Sequence, residues 1–180
     1  EIPFGTISIC NSAFYDCSNL TNVTIPNSVK YIGKRAFQNC TNIDNILIPD
    51  SVTAIGDSAF VYCTSIDNFV IPNSVTTIGE NIFGHCSSLK NIIIPDSITD
   101  ISYGTFSDCT SLENIAIPDG VTNIGEYAFY GCENLKNINI PNGVKSIKES
   151  TFYGCKSLIN ITIPEKVTNI GDYAFTDCKS

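Results

Sequence analysis

The chain repeats itself every 23 residues with no insertion or deletion. Phenylalanine stands at Phe14, Phe37, Phe60, Phe83, Phe106, Phe129, Phe152 and Phe175. Proline keeps the same step from Pro3 to Pro164, and cysteine recurs at Cys17, Cys40, Cys63, Cys86, Cys109, Cys132, Cys155 and Cys178. In "IPDGVTNIGEYAFYGC" (117–132) and "IPNGVKSIKESTFYGC" (140–155) most of the apolar residues, the proline and the cysteine are held while the polar letters drift. A catalytic motif normally occurs once, whereas a packing unit recurs as often as the core needs it. The register never breaks over nearly eight units, so residues 1–180 are expected to form a single solenoid, read as a segment of a larger protein.

Each unit reads as one turn of a coil. In "LTNVTIP", Val23 and Ile25 alternate with Asn22 and Thr24, the period of a short strand with one buried face. "PNSV" or "PDGV" follows, with a fixed φ at proline, a side chain that bonds the local backbone, and a small residue, so the chain reverses there. In "GKRAFQNC" the spacing of Ala36, Phe37 and Cys40 predicts a short helical turn that buries all three. Gly33 opens that segment, and five of the eight units carry glycine there. One turn cannot enclose its own apolar face, so the turns stack and bury their side chains in columns. The expectation is a right-handed α/β solenoid, with a parallel sheet on the concave side and short helical turns on the convex side.

The unit L-x-x-I-x-I-P-x-x-V-x-x-I-G-x-x-A-F-x-x-C, present as "LENIAIPDGVTNIGEYAFYGC", resembles the BspA-like leucine-rich repeat of bacterial and protozoan surface proteins, over essentially the whole chain. The resemblance implies a leucine-rich-repeat solenoid and a secreted or surface-attached protein concerned with adhesion and protein binding. It brings no catalytic residue. The chain departs from the pattern at Cys10, Ser102 and Lys148 in the glycine slot and at Ile82, Thr105 and Thr151 in the alanine slot, which bears on local helix geometry rather than on the fold.

One cysteine per unit, always three residues after phenylalanine, is the spacing of a small buried hydrophobe in a stacked column. Bridges between adjacent turns and metal binding are weaker readings: identically directed side chains fit a disulfide poorly, and no C-x-x-C pair offers zinc its ligands. Cys10, off the column, is the thiol expected to be accessible. His85 is the only histidine and precedes Cys86, but adjacent residues rarely face each other, and the slot of His85 varies as a surface position does. Asp96 and Asp119 should lie on neighbouring turns, where they could share a calcium ion, yet turn formation explains both. No cofactor and no metal site is expected.

Charge narrows the partners. The net charge is −8, and the stretch from Asp44 to Glu133 holds twelve acids against Lys90 alone. Such a surface repels a phosphate backbone, so nucleic acid is excluded as a partner. No run approaches the roughly 18 to 20 apolar residues of a membrane span, so direct membrane insertion is not expected.

Function is therefore sought in the drifting letters. Asparagine fills one outward strand position in every full unit, at Asn22, Asn45, Asn68, Asn91, Asn114, Asn137 and Asn160, which reads as a structural amide ladder. The other outward position runs Thr24, Leu47, Val70, Ile93, Ala116, Asn139, Thr162, an apolar stripe with polar ends. The slot before asparagine places Asp44, Asp67, Lys90 and Glu113 beside it. An apolar stripe with a charged rim is the pattern of a protein-binding surface, although strand propensity alone could keep apolar residues there.

The primary expectation is a non-enzymatic binding or adhesion module that meets a protein partner, such as a host-cell or matrix protein, through the concave face. The alternative is a structural spacer, or an element that assembles end to end through its uncapped ends, without a specific ligand on the concave face. The cell-surface or extracellular assignment rests on the resemblance, since reduced cysteines fit a cytosolic setting equally well. Sequons at Asn19, Asn22, Asn39 and Asn160 are expected by chance in so asparagine-rich a chain.

Overall fold

The computed structural model describes residues 1–179; Ser180, the last residue of the expected solenoid, lies outside them. The chain forms a parallel-strand β-solenoid of about seven turns, in which each 23-residue unit contributes two strands. One row consists of Asn22–Thr24, Asn45–Leu47, Asn68–Val70, Asn91–Ile93, Asn114–Ile115, Asn137–Asn139 and Asn160–Thr162. Its hydrogen-bonded pairs are all parallel and set asparagine opposite asparagine, as at Asn68 and Asn91, in sheets of two, two and three strands. In each three-residue strand the middle residue points inward and the two outer ones outward, because successive side chains of a strand alternate faces.

A second parallel row was not anticipated. Two-residue strands run from Ser8–Ile9 through Tyr31–Ile32, Ala54–Ile55 and Thr77–Ile78 to Asn169–Ile170. Each follows the Pro-x-x-Val turn, which closes by a bond such as Val29 N–H to Pro26 O at 3.0 Å. The apolar valine and isoleucine of "SVKYI" lie three residues apart, a spacing that carries no strand period, so these strands have no signal in the pattern.

The expected helical turns are absent: among the described residues there is no helix. In every unit two positions of this segment take a left-handed backbone, at Arg35 and Asn39 in one unit and at Asn81 and His85 in another, with φ between 50° and 71°. Left-handed residues cannot continue a right-handed helix. The amides therefore alternate their acceptors. Arg35, Phe37 and Asn39 donate to Asp57, Ala59 and Val61 of the next turn at 2.8–2.9 Å, while Ala36, Gln38 and Cys40 donate three residues back at 3.1–3.2 Å. Half of these bonds thus join adjacent coils, which ties the outer wall together along the stacking direction.

The glycine slot has a packing cause. A Cβ at Gly33 would stand 2.6 Å from the Asn11 backbone nitrogen, and similar clashes meet the preceding turn at Gly56, Gly79, Gly125 and Gly171. Ser102 and Lys148 fill this slot between turns that do carry glycine. In both of those units threonine replaces alanine, and the Thr105 and Thr151 hydroxyls donate to the Ser102 and Lys148 carbonyls at 2.8 and 2.9 Å. Each buried hydroxyl thereby finds the acceptor that burial requires.

The core is a set of columns. Phenylalanine rings from Phe14 to Phe175 stack with centroids 5.1–5.9 Å apart, and Phe69 sets its edge against Phe60 and Phe83. Beside them Cys40, Cys63, Cys86, Cys109, Cys132 and Cys155 are fully buried. Each thiol donates to a phenylalanine carbonyl of the preceding turn at 3.0–3.2 Å, as Cys86 does to Phe60. Cys17, placed in this column by the repeat, is exposed, as is Cys10, and Cys178 is half-buried.

Candidate functional site

The strand row that carries asparagine presents its outward residues on an open face. Leu47, Val70 and Ile93 stand in line on three neighbouring turns, 74%, 52% and 61% exposed. Ala116 continues the line and is also exposed, then Asn139 and Thr162 end it. A trough of about 590 Å³ runs along the three larger side chains, bounded by Asp50 and Pro72. The turns that create this trough are fixed by the inward partners Ile46, Phe69 and Ile92, all buried. Strand alternation then forces the flanking residues into solvent.

A more polar groove of about 740 Å³ lies beside it, lined by Asn45, Asn68, Asp44, Asp67 and Lys90 among others. Of the four charged residues expected beside the stripe, three line this groove, and Glu113 is tied to Lys136 at 2.7 Å. That hydrogen bond and charge hold the Glu113 carboxyl below the usual range. Asp67 accepts from its neighbour Asn68 Nδ2 at 2.7 Å.

The asparagine column bonds from turn to turn at some steps. Asn91 donates to Asn68 at 2.9 Å, Asn137 to Asn114 at 3.2 Å and Asn160 to Asn137 at 3.1 Å. Asn22 instead turns to Thr21, and Asn45 lines both depressions. The amide ladder thus bonds at the Asn68–Asn91 step and from Asn114 to Asn160, and is open at the N-terminal end of the row.

The remaining residues with reactive side chains are not brought together. His85 stacks on Tyr62 at 4.4 Å, with Nδ1 3.3 Å from Asp108 Oδ2, on the outer wall. Cys86 points the other way, into the core, where burial pushes its thiol up to about 12. A thiolate–imidazolium pair does not form in such an arrangement. Asp96 and Asp119 are exposed turn residues, and among the described residues no three potential metal ligands converge. Sequence reasoning missed the outer-wall aromatics, where Tyr130 stacks on Tyr153 at 5.0 Å and Tyr127 donates to Glu149 at 2.9 Å. The signal was present as tyrosines at a common slot, but it was absorbed into the assumed helix.

The thiols offer a direct check of the inside and outside assignments. Reaction of the native protein with a thiol-specific aromatic disulfide should modify Cys10 and Cys17 quickly and leave the six column thiols untouched until denaturant is added. Rapid reaction of all nine cysteines in the folded state would refute the column.

A model of the BspA type leucine rich repeat region, in six copies, matches residues 1–113 and 99–180. Solved structures agree with it. A leucine-rich repeat protein of T. pallidum is 32% identical with a TM-score of 0.64, over 96% of this chain and 70% of that one. A leucine rich cell surface protein of Faecalibacterium prausnitzii is 30% identical with a TM-score of 0.65, over 89% of this chain and 58% of its own. A leucine-rich repeat protein of Eubacterium ventriosum gives the values 28% and 0.75, over 87% and 42%. The chain thus spans less than two thirds of the latter two. Among curated proteins none matches. No enzyme family is indicated by these likenesses.

Proposed function

The chain belongs to the BspA-type leucine-rich repeat family, and on that premise we propose that it is a non-enzymatic protein-binding module of a surface or secreted protein. Its contact face is the outward side of the asparagine-bearing strand row. The observation that carries this reading is the alignment of Leu47, Val70 and Ile93, large, apolar, exposed and consecutive, on positions the core does not use. Polar residues serve equally well there in other turns, since Thr24, Asn139 and Thr162 occupy the same slot. Burying three such side chains against a partner contributes about 1.5–3 kcal/mol each before the costs of association. Asp44, Asp67, Lys90 and Glu113 then form the polar rim that sets orientation. The surface assignment leans on the relative described as a cell surface protein, and no helix of the described residues is long and apolar enough to cross a membrane.

The test compares the wild-type fragment with a Val70→Lys, Ile93→Lys variant, both confirmed folded by circular dichroism, as bait for proteins in a cell-surface and matrix extract. A captured protein whose binding falls at least tenfold in the variant supports the reading. Equal capture by both baits, or none by either, removes the face from consideration and favours a spacer.

A further inference from the structure

We infer that the occupant of this face is a cationic amphipathic α-helix lying along the stacking direction, a conclusion that rests on the binding role proposed above. Three dimensions point to it. Parallel strands stack about 4.8 Å apart, so Leu47, Val70 and Ile93 rise by about 10 Å over two steps. Two turns of an α-helix rise about 10.8 Å and present apolar side chains at i, i+3 or i+4, and i+7 along one stripe. An extended peptide places same-face residues about 6.8 Å apart and falls out of step by the third row.

The width agrees as well. Asp44 precedes Leu47 by three residues and Asp50 follows it by three, and Asp67 and Asp96 hold the same offsets from Val70 and Ile93. At about 3.3 Å per residue, carboxylates lie within about 10 Å on each side of the stripe, the reach of basic side chains on the flanks of a helix 10–12 Å across. An acidic flank on both sides selects a helix with lysine or arginine on both shoulders of its apolar face.

These carboxylates are also unengaged by cations. Ion pairs among the described residues occupy Asp57, Asp108, Glu113, Glu133 and Asp177. Asp44, Asp50, Asp67 and Asp96 take part in none of them, so an incoming cation displaces no internal cation, and only Asp67 has a side-chain partner to share, the Asn68 amide at 2.7 Å. Lys90 closes the acidic row on the groove side and sets where the basic stretch of the helix must end.

Fluorescence polarisation with synthetic peptides tests this. The probe is a four-turn lysine and leucine peptide with leucine at helical spacing; its controls are the same composition in strict alternation and a helical version with glutamate for lysine. The helical lysine peptide should bind the fragment at least tenfold tighter than either control. An Asp44→Asn, Asp67→Asn variant should weaken it at least fivefold, while the remote pair Glu149→Gln, Asp172→Asn should change it less than twofold. Equal or tighter binding of the alternating peptide overturns the helix. Equal weakening by the remote pair overturns the site, since it shows unspecific attraction to an acidic surface. If no peptide binds while capture from extract still depends on Val70 and Ile93, the helix inference fails and the binding face stands; if that dependence is lost too, both fail.

Discussion

Raising the pH from neutral to 10 is expected to remove roughly 8 kcal/mol of stability from this fold, a loss comparable to the whole stability of many domains. Six thiols are enclosed in one column, and burial is the first cause that pushes each of them above the usual value of 9.0, to about 11 for Cys40 and about 12 for Cys86. Cys63, Cys109, Cys132 and Cys155 shift the same way, and for all four a neighbouring thiol of the column adds repulsion. The unfolded chain ionises near 9 while the folded column stays neutral, so the folded state binds more protons above that pH. The stabilisation is therefore complete below pH 9 and is lost as pH rises toward the folded values. Each group gives up about 1.4 kcal/mol per pH unit in that window, and six of them act together. Urea denaturation followed by circular dichroism at pH 7, 8.5, 9.5 and 10 measures the loss. A Cys86→Ala, Cys109→Ala variant, less stable at pH 7, should lose about a third less on going to pH 10. A wild-type midpoint that stays flat to pH 10 would sink the argument.

The same column shows why the core was legible in the sequence and the outer wall was not. Strict recurrence of Phe83 and Cys86, and of leucine or isoleucine at the Leu89 slot, says that each must meet its copy in the next turn, and that holds whatever the local backbone does. The spacing of Ala36, Phe37 and Cys40 also fits one helical turn, but it equally fits a chain that reverses handedness at Arg35 and Asn39. Arginine and tyrosine are poor left-handed residues, so Arg35, Tyr62 and Tyr127 hid those positions. Gly104, Gly131 and Gly154 in the same two slots were the available clue. On the outward face of the asparagine-bearing row, alternation correctly placed Leu47, Val70 and Ile93 in solvent, because a strand leaves no other choice. What alternation could not show was how far the amide ladder bonds along the row, since that depends on rotamers of Asn22 and Asn45.

Truncating Phe83 to alanine is expected to cost 3–5 kcal/mol, near the upper end of that range. The ring is fully buried and has aromatic neighbours on three sides, Phe60 at 5.9 Å, Phe106 at 5.8 Å and the edge-on Phe69 at 4.7 Å. Collapse into the hole is opposed by the backbone, because His85 and Asn81 bond Ser107 and Tyr103 of the next turn at 2.7 Å and hold the coils at fixed separation. Phe14, at the edge of the column and only partly buried, provides the internal contrast, since its truncation opens one stacking contact and should cost about 1 kcal/mol. In a quasi-one-dimensional fold an interior break also uncouples the repeats on either side. Denaturation of Phe83→Ala should therefore broaden, with tyrosine fluorescence, weighted by Tyr103, Tyr127, Tyr130 and Tyr153, parting from the backbone signal that reports the whole chain. Coincident and equally steep transitions in Phe83→Ala and Phe14→Ala, with equal losses, would mean that the phenylalanine column does not carry the coupling between turns.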